Sequence, residues 1–184
     1  MDRELRILIL DDVASDIELA KQELRRRGMI FSSKAGRTQQ FFLKEVTDFA
    51  PDVIICDYSM PQFNALDALR LLKEQQIGLD IPFVVLAGSG NEEVAVACLQ
   101  EGADDYVIKE SIARLSFAIA HAIEKRKMER ERKESETVLR NTNKELKQLN
   151  EIMMNREKRI LELKAEIKRL RAETPSEPEK EILG

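Results

Sequence analysis

Four charged residues of this chain stand directly behind short apolar runs. Asp11-Asp12 follow Ile7-Leu8-Ile9-Leu10, Asp57 follows Val53-Ile54-Ile55-Cys56, and Lys109 follows Tyr106-Val107-Ile108. Runs this short and this apolar predict strands buried on both faces. In an open parallel sheet, ligands bind outside the carboxyl ends of the strands. Three neighbouring strands of this kind would therefore bring three carboxylates and one ammonium to one pocket. Carboxylates at close range repel one another, and a hard divalent cation that prefers oxygen ligands relieves the repulsion. The chemistry this predicts is a Mg²⁺ site that handles a phosphoryl group. Taken alone, Asp11-Asp12 fit an acidic helix N-terminus equally well; Asp57 and Lys109 at matching strand ends favour the site.

The elements that must position these residues alternate strictly. Strands are expected at Leu5–Leu10, Met29–Lys34, Asp52–Cys56, Pro82–Ala87 and Asp105–Ile108. Helices are expected at Ala14–Arg27, Thr38–Phe49, Asn64–Gln76 and Glu92–Glu101, with Ser111 capping a fifth. Gly28 and Gly102 suit the position just past a helix end. Asn91-Glu92-Glu93 reads as a capped, acidic helix start rather than a site. Strands and helices in this order imply a parallel sheet covered on both faces, a small α/β fold of the doubly wound kind occupying residues 1–124.

The charge is divided unevenly. Residues 125–184 hold 17 of the 30 Lys/Arg and 13 of the 34 Asp/Glu, a net of +4, which leaves −8 on residues 1–124. The apolar start is too short for a secretory signal, and no stretch approaches the ~18 uncharged residues of a membrane span. Cys56 and Cys98 are too few for a disulfide framework and read as small buried hydrophobes. A cytoplasmic chain is expected. The mixed-sign cluster Lys125–Lys133 reads as a solvated helix rather than a nucleic-acid contact, and no helix-turn-helix pattern follows it. His121, the single histidine, sits at an ordinary helix position.

From Ile112 to Glu173 there is neither Pro nor Gly. From Leu139 onward the residues follow a seven-residue period, with Leu139, Leu146, Met153, Ile160 and Ile167 at a, and Thr142, Leu149, Arg156, Leu163 and Leu170 at d. Ile at a with Leu at d in the last two heptads predicts a parallel two-stranded coiled coil, and hence a homodimer. The expected division is a body at 1–124, a charged helical linker and candidate hinge at 125–138, a dimerising coil at 139–173 and a disordered tail at 174–184. A helix from Ser111 to Glu173 would be about 95 Å long.

Residues 1–124 resemble the receiver domain of two-component response regulators. The resemblance rests on Asp11-Asp12, on Asp57 followed by Met60-Pro61, and on Gly102-Ala103-Asp104-Asp105-Tyr106-Val107-Ile108-Lys109. It implies a flavodoxin-like sheet of strand order 2-1-3-4-5. It implies that Asp57 is the phosphoacceptor, that Asp12 and Asp57 bind Mg²⁺ directly, that Asp11 supports the ion through water, and that the Ser59 carbonyl completes the protein ligands. Lys109 would contact the phosphoryl group. The donor would be a sensor histidine kinase, small phosphodonors being a second source, and the chain would be a phosphoacceptor assisting its own phosphotransfer rather than an enzyme.

Two positions depart from the family pattern. Ala87 stands where the family carries a Thr or Ser hydroxyl that couples the phosphoryl group to a switching aromatic, here Tyr106; Ser89 is the nearest hydroxyl downstream. Ala65 replaces a common Gly. The expectation is that Tyr106 responds weakly to phosphorylation and that output runs through the helix after Lys109 to a downstream protein the sequence does not name. Two rival readings are a receiver-derived scaffold with vestigial phosphorylation, and the front end of a hybrid kinase or other effector. A free-standing Mg²⁺ phosphatase is less favoured, because nothing beyond the acidic site forms a substrate pocket.

Overall fold

The computed structural model describes residues 4–90 and 92–173. The order is β1 (Leu5–Leu10), α1 (Ala14–Arg26), β2 (Phe31–Gly36), α2 (Gln39–Asp48), β3 (Val53–Asp57), α3 (Ala65–Gln75), β4 (Phe83–Ala87), α4 (Glu92–Gln100), β5 (Asp105–Ile108), a short 3-10 helix (Lys109–Arg114) and α5 (Leu115–Glu173). All five strands are parallel, in the order β2-β1-β3-β4-β5. This is the expected flavodoxin-like fold with a long C-terminal helix. The expected cap Asn91 and tail 174–184 lie outside the described residues.

The strands alternate their side chains between two buried layers, as the pleat requires. Leu8, Leu10, Ile54, Cys56, Phe83 and Val85 face α2, α3 and α4, where Phe42, Val46, Leu69, Leu72 and Cys98 meet them. Ile7, Ile9, Val53, Ile55, Val84, Leu86 and Val107 face α1 and the start of α5, where Ala20, Leu24, Leu115, Ala118, Ile119 and Ala122 meet them. With both faces covered, the central strands read as continuous apolar runs.

Several boundaries differ from expectation by one residue, and β2 and the start of α5 differ by more. β2 begins two residues late because the end of α1 uses Met29: Gly28 takes φ 76°, its N–H donates to the Arg25 carbonyl, and the Met29 N–H donates to the Leu24 carbonyl. That is the paired closure of a Schellman motif, and Gly102 with Ala103 repeats it at the end of α4. β3 runs one residue further than expected, to Asp57, whose residue pairs with Leu86 of β4. Ser111 does not cap α5. It lies inside the 3-10 helix at φ −111°, ψ 33°, which is not helical, and α5 starts four residues later at Leu115. Lys109, the first residue of that turn, is tied by ion pairs over the end of the sheet, so the chain coils tightly before it runs on as α-helix.

The chain divides into two compact units, residues 1–132 and 133–184. Within the first, the opening turns of α5 are held by Arg126. Its Nε lies 2.8 Å from each Asp104 carboxylate oxygen, and its other nitrogens donate to the Gly102 carbonyl at 3.0 Å and the Leu79 carbonyl at 3.2 Å. Asp104, its side chain 1% exposed, also accepts the Phe83 N–H at the start of β4. Arg126 is thus docked, although its neighbours read as a solvated charged stretch. In the second unit, the helical residues as far as Arg171 are exposed.

Candidate functional site

The carboxyl ends of β1, β3 and β5 carry the four predicted residues. Asp11 follows β1 directly and is 3% exposed; its N–H donates to the Gly36 carbonyl, and its Oδ1 accepts the Val13 N–H at 2.8 Å. Asp12 is exposed. Asp57 ends β3 and is 2% exposed. The three carboxylates each offer an oxygen within 4.8 Å of the others. Lys109 reaches back over them, with its Nζ 3.1 Å from Asp11 Oδ2 and 3.1 Å from Asp57 Oδ2. All four predicted charges therefore meet in one place.

The structure adds a fifth. Asp16, in the first turn of α1, lies 2.7 Å from Lys109 Nζ. Sequence reading missed it; the available signal was an acidic residue in the first turn of the helix that leaves Asp11-Asp12. Burial works against the Lys109 charge, but the contacts with Asp16, Asp57 and Asp11 prevail and push its pKa up. Burial pushes the Asp11 carboxyl up, against the pull of the Val13 N–H and the Lys109 ammonium. The Cys56 thiol, buried next to Asp57, is raised well above its ordinary range by desolvation and by that carboxylate, which keeps it a neutral core group.

Among the described residues two buried carboxylate oxygens have no hydrogen-bond partner: Asp104 Oδ1, which lies 2.8 Å from Arg126 Nε, and Asp57 Oδ1, whose carboxylate meets Lys109 through its other oxygen. A buried unpaired carboxylate oxygen is costly, and Asp57 Oδ1 sits in a set of hard oxygen donors of the kind Mg²⁺ takes. The residues present fit a divalent cation. Ser59, expected to contribute its carbonyl, lies in the loop two residues beyond Asp57 and is exposed.

β4 lies between β3 and β5, so its last residue separates the strand that ends in Asp57 from the strand that precedes Lys109. That residue is Ala87, 2% exposed and paired with Ile108. Tyr106, paired with Val85, is partly buried against the layer formed with α2, α3 and α4. The Ser89 N–H donates to a Glu110 carboxylate oxygen at 3.4 Å, which ties the loop after β4 to the turn after Lys109.

Residues 7–120 match the family model of the response regulator receiver domain. The chain is 34% identical over 118 residues to the phosphate regulon transcriptional regulatory protein PhoB of Pseudomonas aeruginosa, covering 61% of this chain and 51% of that protein. It is 36% identical over 111 residues to a protein-glutamate methylesterase/protein-glutamine glutaminase of Treponema denticola, covering 59% of this chain and 29% of that one. The chain thus spans about half or less of the length of these curated relatives. Among solved structures, a response regulator receiver domain protein from Clostridium thermocellum superposes with TM-score 0.58 at 28% identity, over 67% of this chain and 98% of that one. NtrX from Brucella abortus superposes with TM-score 0.62 at 26% identity, over 70% of this chain and 29% of that one. With the sheet order, the acidic trio and the strand-end lysine, these matches show that the chain belongs to the response regulator receiver domain family of two-component phosphorelay signalling.

Proposed function

We propose that this chain accepts a phosphoryl group from a histidine kinase on Asp57 and passes its state to a downstream protein through a dimeric α5. The observation that carries the first half is the unpartnered, buried Asp57 Oδ1 beside Asp11, Asp12 and Lys109. Asp12 and Asp57 would hold Mg²⁺ directly, Asp11 through water, with the Ser59 carbonyl completing the set. The bound cation supplies charge neutralisation between the acceptor carboxylate and the incoming phosphoryl oxygens.

An Asp57 carboxylate oxygen attacks phosphorus, the bond from phosphorus to the donor's imidazole nitrogen breaks, and its electron pair leaves with the imidazole. Asp57 is fixed at the end of a buried strand, and positioning is the main protein contribution to phosphoryl transfer. Lys109 binds a transferred oxygen as a compact point charge, and Asp16 and Asp11 keep it charged and aimed.

Incubation of the full chain with Mg²⁺ and a small phosphodonor is expected to add one phosphoryl group by intact mass, and Asp57→Asn is expected to abolish the addition. Labelling that persists in the variant, or none in the native chain, overturns this reading. Ala87 specifically favours a second reading, a receiver-derived scaffold in which phosphorylation has no output.

The output half rests on α5. Eight apolar residues at a and d positions between Leu139 and Leu170 are 41–62% exposed, a large apolar stripe for a lone helix. A parallel coil with a second copy would cover it.

A further inference from the structure

The stripe on α5 is interrupted at two core positions, by Thr142 and by Arg156. An arginine at a d position is costly in a coil seam unless its charge is answered there. Among the described residues, neither Arg156 nor Glu157 forms an ion pair within the chain. Glu157 is the e position that follows Arg156. In a parallel two-stranded coil a d side chain enters a hole lined by residues of the facing helix, its d and adjoining e positions included. Two copies in register would therefore set Arg156 of each against Glu157 of the other, related by the two-fold axis, with the arginine stems lying on Met153 and Ile160.

Resting on the coil reading above, we propose that Arg156 and Glu157 form a reciprocal charged layer across this seam, which selects a second copy of this chain, parallel and in register, over other apolar helices. The flanking charges are mixed: in the same register Glu166 at g faces Arg171 at e of the partner helix, an attractive pair. Arg159 would meet Lys164 of the partner helix, but Arg159 already binds Glu162 on its own helix at 3.2 Å, which offsets that repulsion. An antiparallel pairing centred on this layer would instead bring Glu157 against Glu157. A polar layer in the seam fixes register at a cost in affinity.

The test is the monomer–dimer dissociation constant of the full chain by sedimentation. Arg156→Leu is expected to tighten the dimer about tenfold or more, and Arg156→Glu to weaken it about tenfold or more. Combining Arg156→Glu with Glu157→Arg is expected to restore the native constant to within about threefold. Leu163→Cys, at a d position, is expected to give a covalent dimer on oxidation, which only a parallel, in-register seam allows; the native chain controls for Cys56 and Cys98. A native dimer that Arg156→Leu leaves unchanged or weakens, or a charge swap that restores nothing, overturns the layer and leaves the coil standing. A native chain that stays monomeric overturns both.

Discussion

At the scale of single residues, the proposed acceptor site and the proposed switch at Tyr106 are separable. Asp11, Asp12 and Asp57 offer oxygens within 4.8 Å of one another and Lys109 pairs with Asp11 and Asp57, whereas Ala87 lacks the hydroxyl that the family pattern would use to couple them to Tyr106. A methyl group cannot accept or donate a hydrogen bond, so it cannot follow a phosphoryl oxygen. We therefore expect a phosphoryl mimic, beryllofluoride with Mg²⁺, to bind the native chain while changing the environment of the Tyr106 ring only slightly, as read by NMR of that ring. Ala87→Thr should enlarge that change with little effect on binding of the mimic. A full inward swing of Tyr106 in the native chain would refute the expectation. The four charges were legible in the sequence because each stands immediately after a recognisable strand. Asp16 was not, because its link to Lys109 spans 93 positions and depends on how α1 leaves the sheet.

At the scale of elements, α5 is attached to the body by an apolar face and by one polar clamp. Ala118, Ile119 and Ala122 enter the layer shared with α1, and Arg126 follows Ala122 at the four-residue spacing that keeps it on the same side of a helix. Asp104 is nearly inaccessible to water and is paired with Arg126 at 2.8 Å and with Lys125 at 3.4 Å. Removing the closer partner leaves a buried carboxylate poorly compensated, so Arg126→Met should lower stability in urea unfolding by roughly 3 kcal/mol. A loss below about 0.5 kcal/mol, the ordinary scale of a surface change, would mean the clamp does not hold the helix. The helix itself was legible from its period and its lack of Pro and Gly. The clamp was hidden in a run of mixed charge, where composition alone points to solvent.

At the scale of the molecule, the body closes on itself and α5 does not. Both faces of the sheet are covered, while the a and d residues beyond Leu139 remain exposed. Sedimentation of the full chain should show a dimer and residues 1–132 a monomer; a monomeric full chain would defeat the coil. The comparison piece should end at 132 rather than 124, because residues 125–132 include the clamp. Among the described residues no helix is long and apolar enough to cross a membrane.

By itself the sequence determined the alternation of five strands and their helices, the acidic trio with its lysine, and the heptad period of α5. These are recorded in local spacing, where neighbouring residues show which face is apolar and where a strand ends. The assembly of the elements set the rest: Asp16 joins Lys109, Arg126 locks onto Asp104, Ala87 lies between the strand ending in Asp57 and the strand preceding Lys109, and Asp57 keeps one buried oxygen unmatched. Those outcomes depend on which strands stack side by side and how helices return across them, and that follows from burying two apolar faces of one sheet at once.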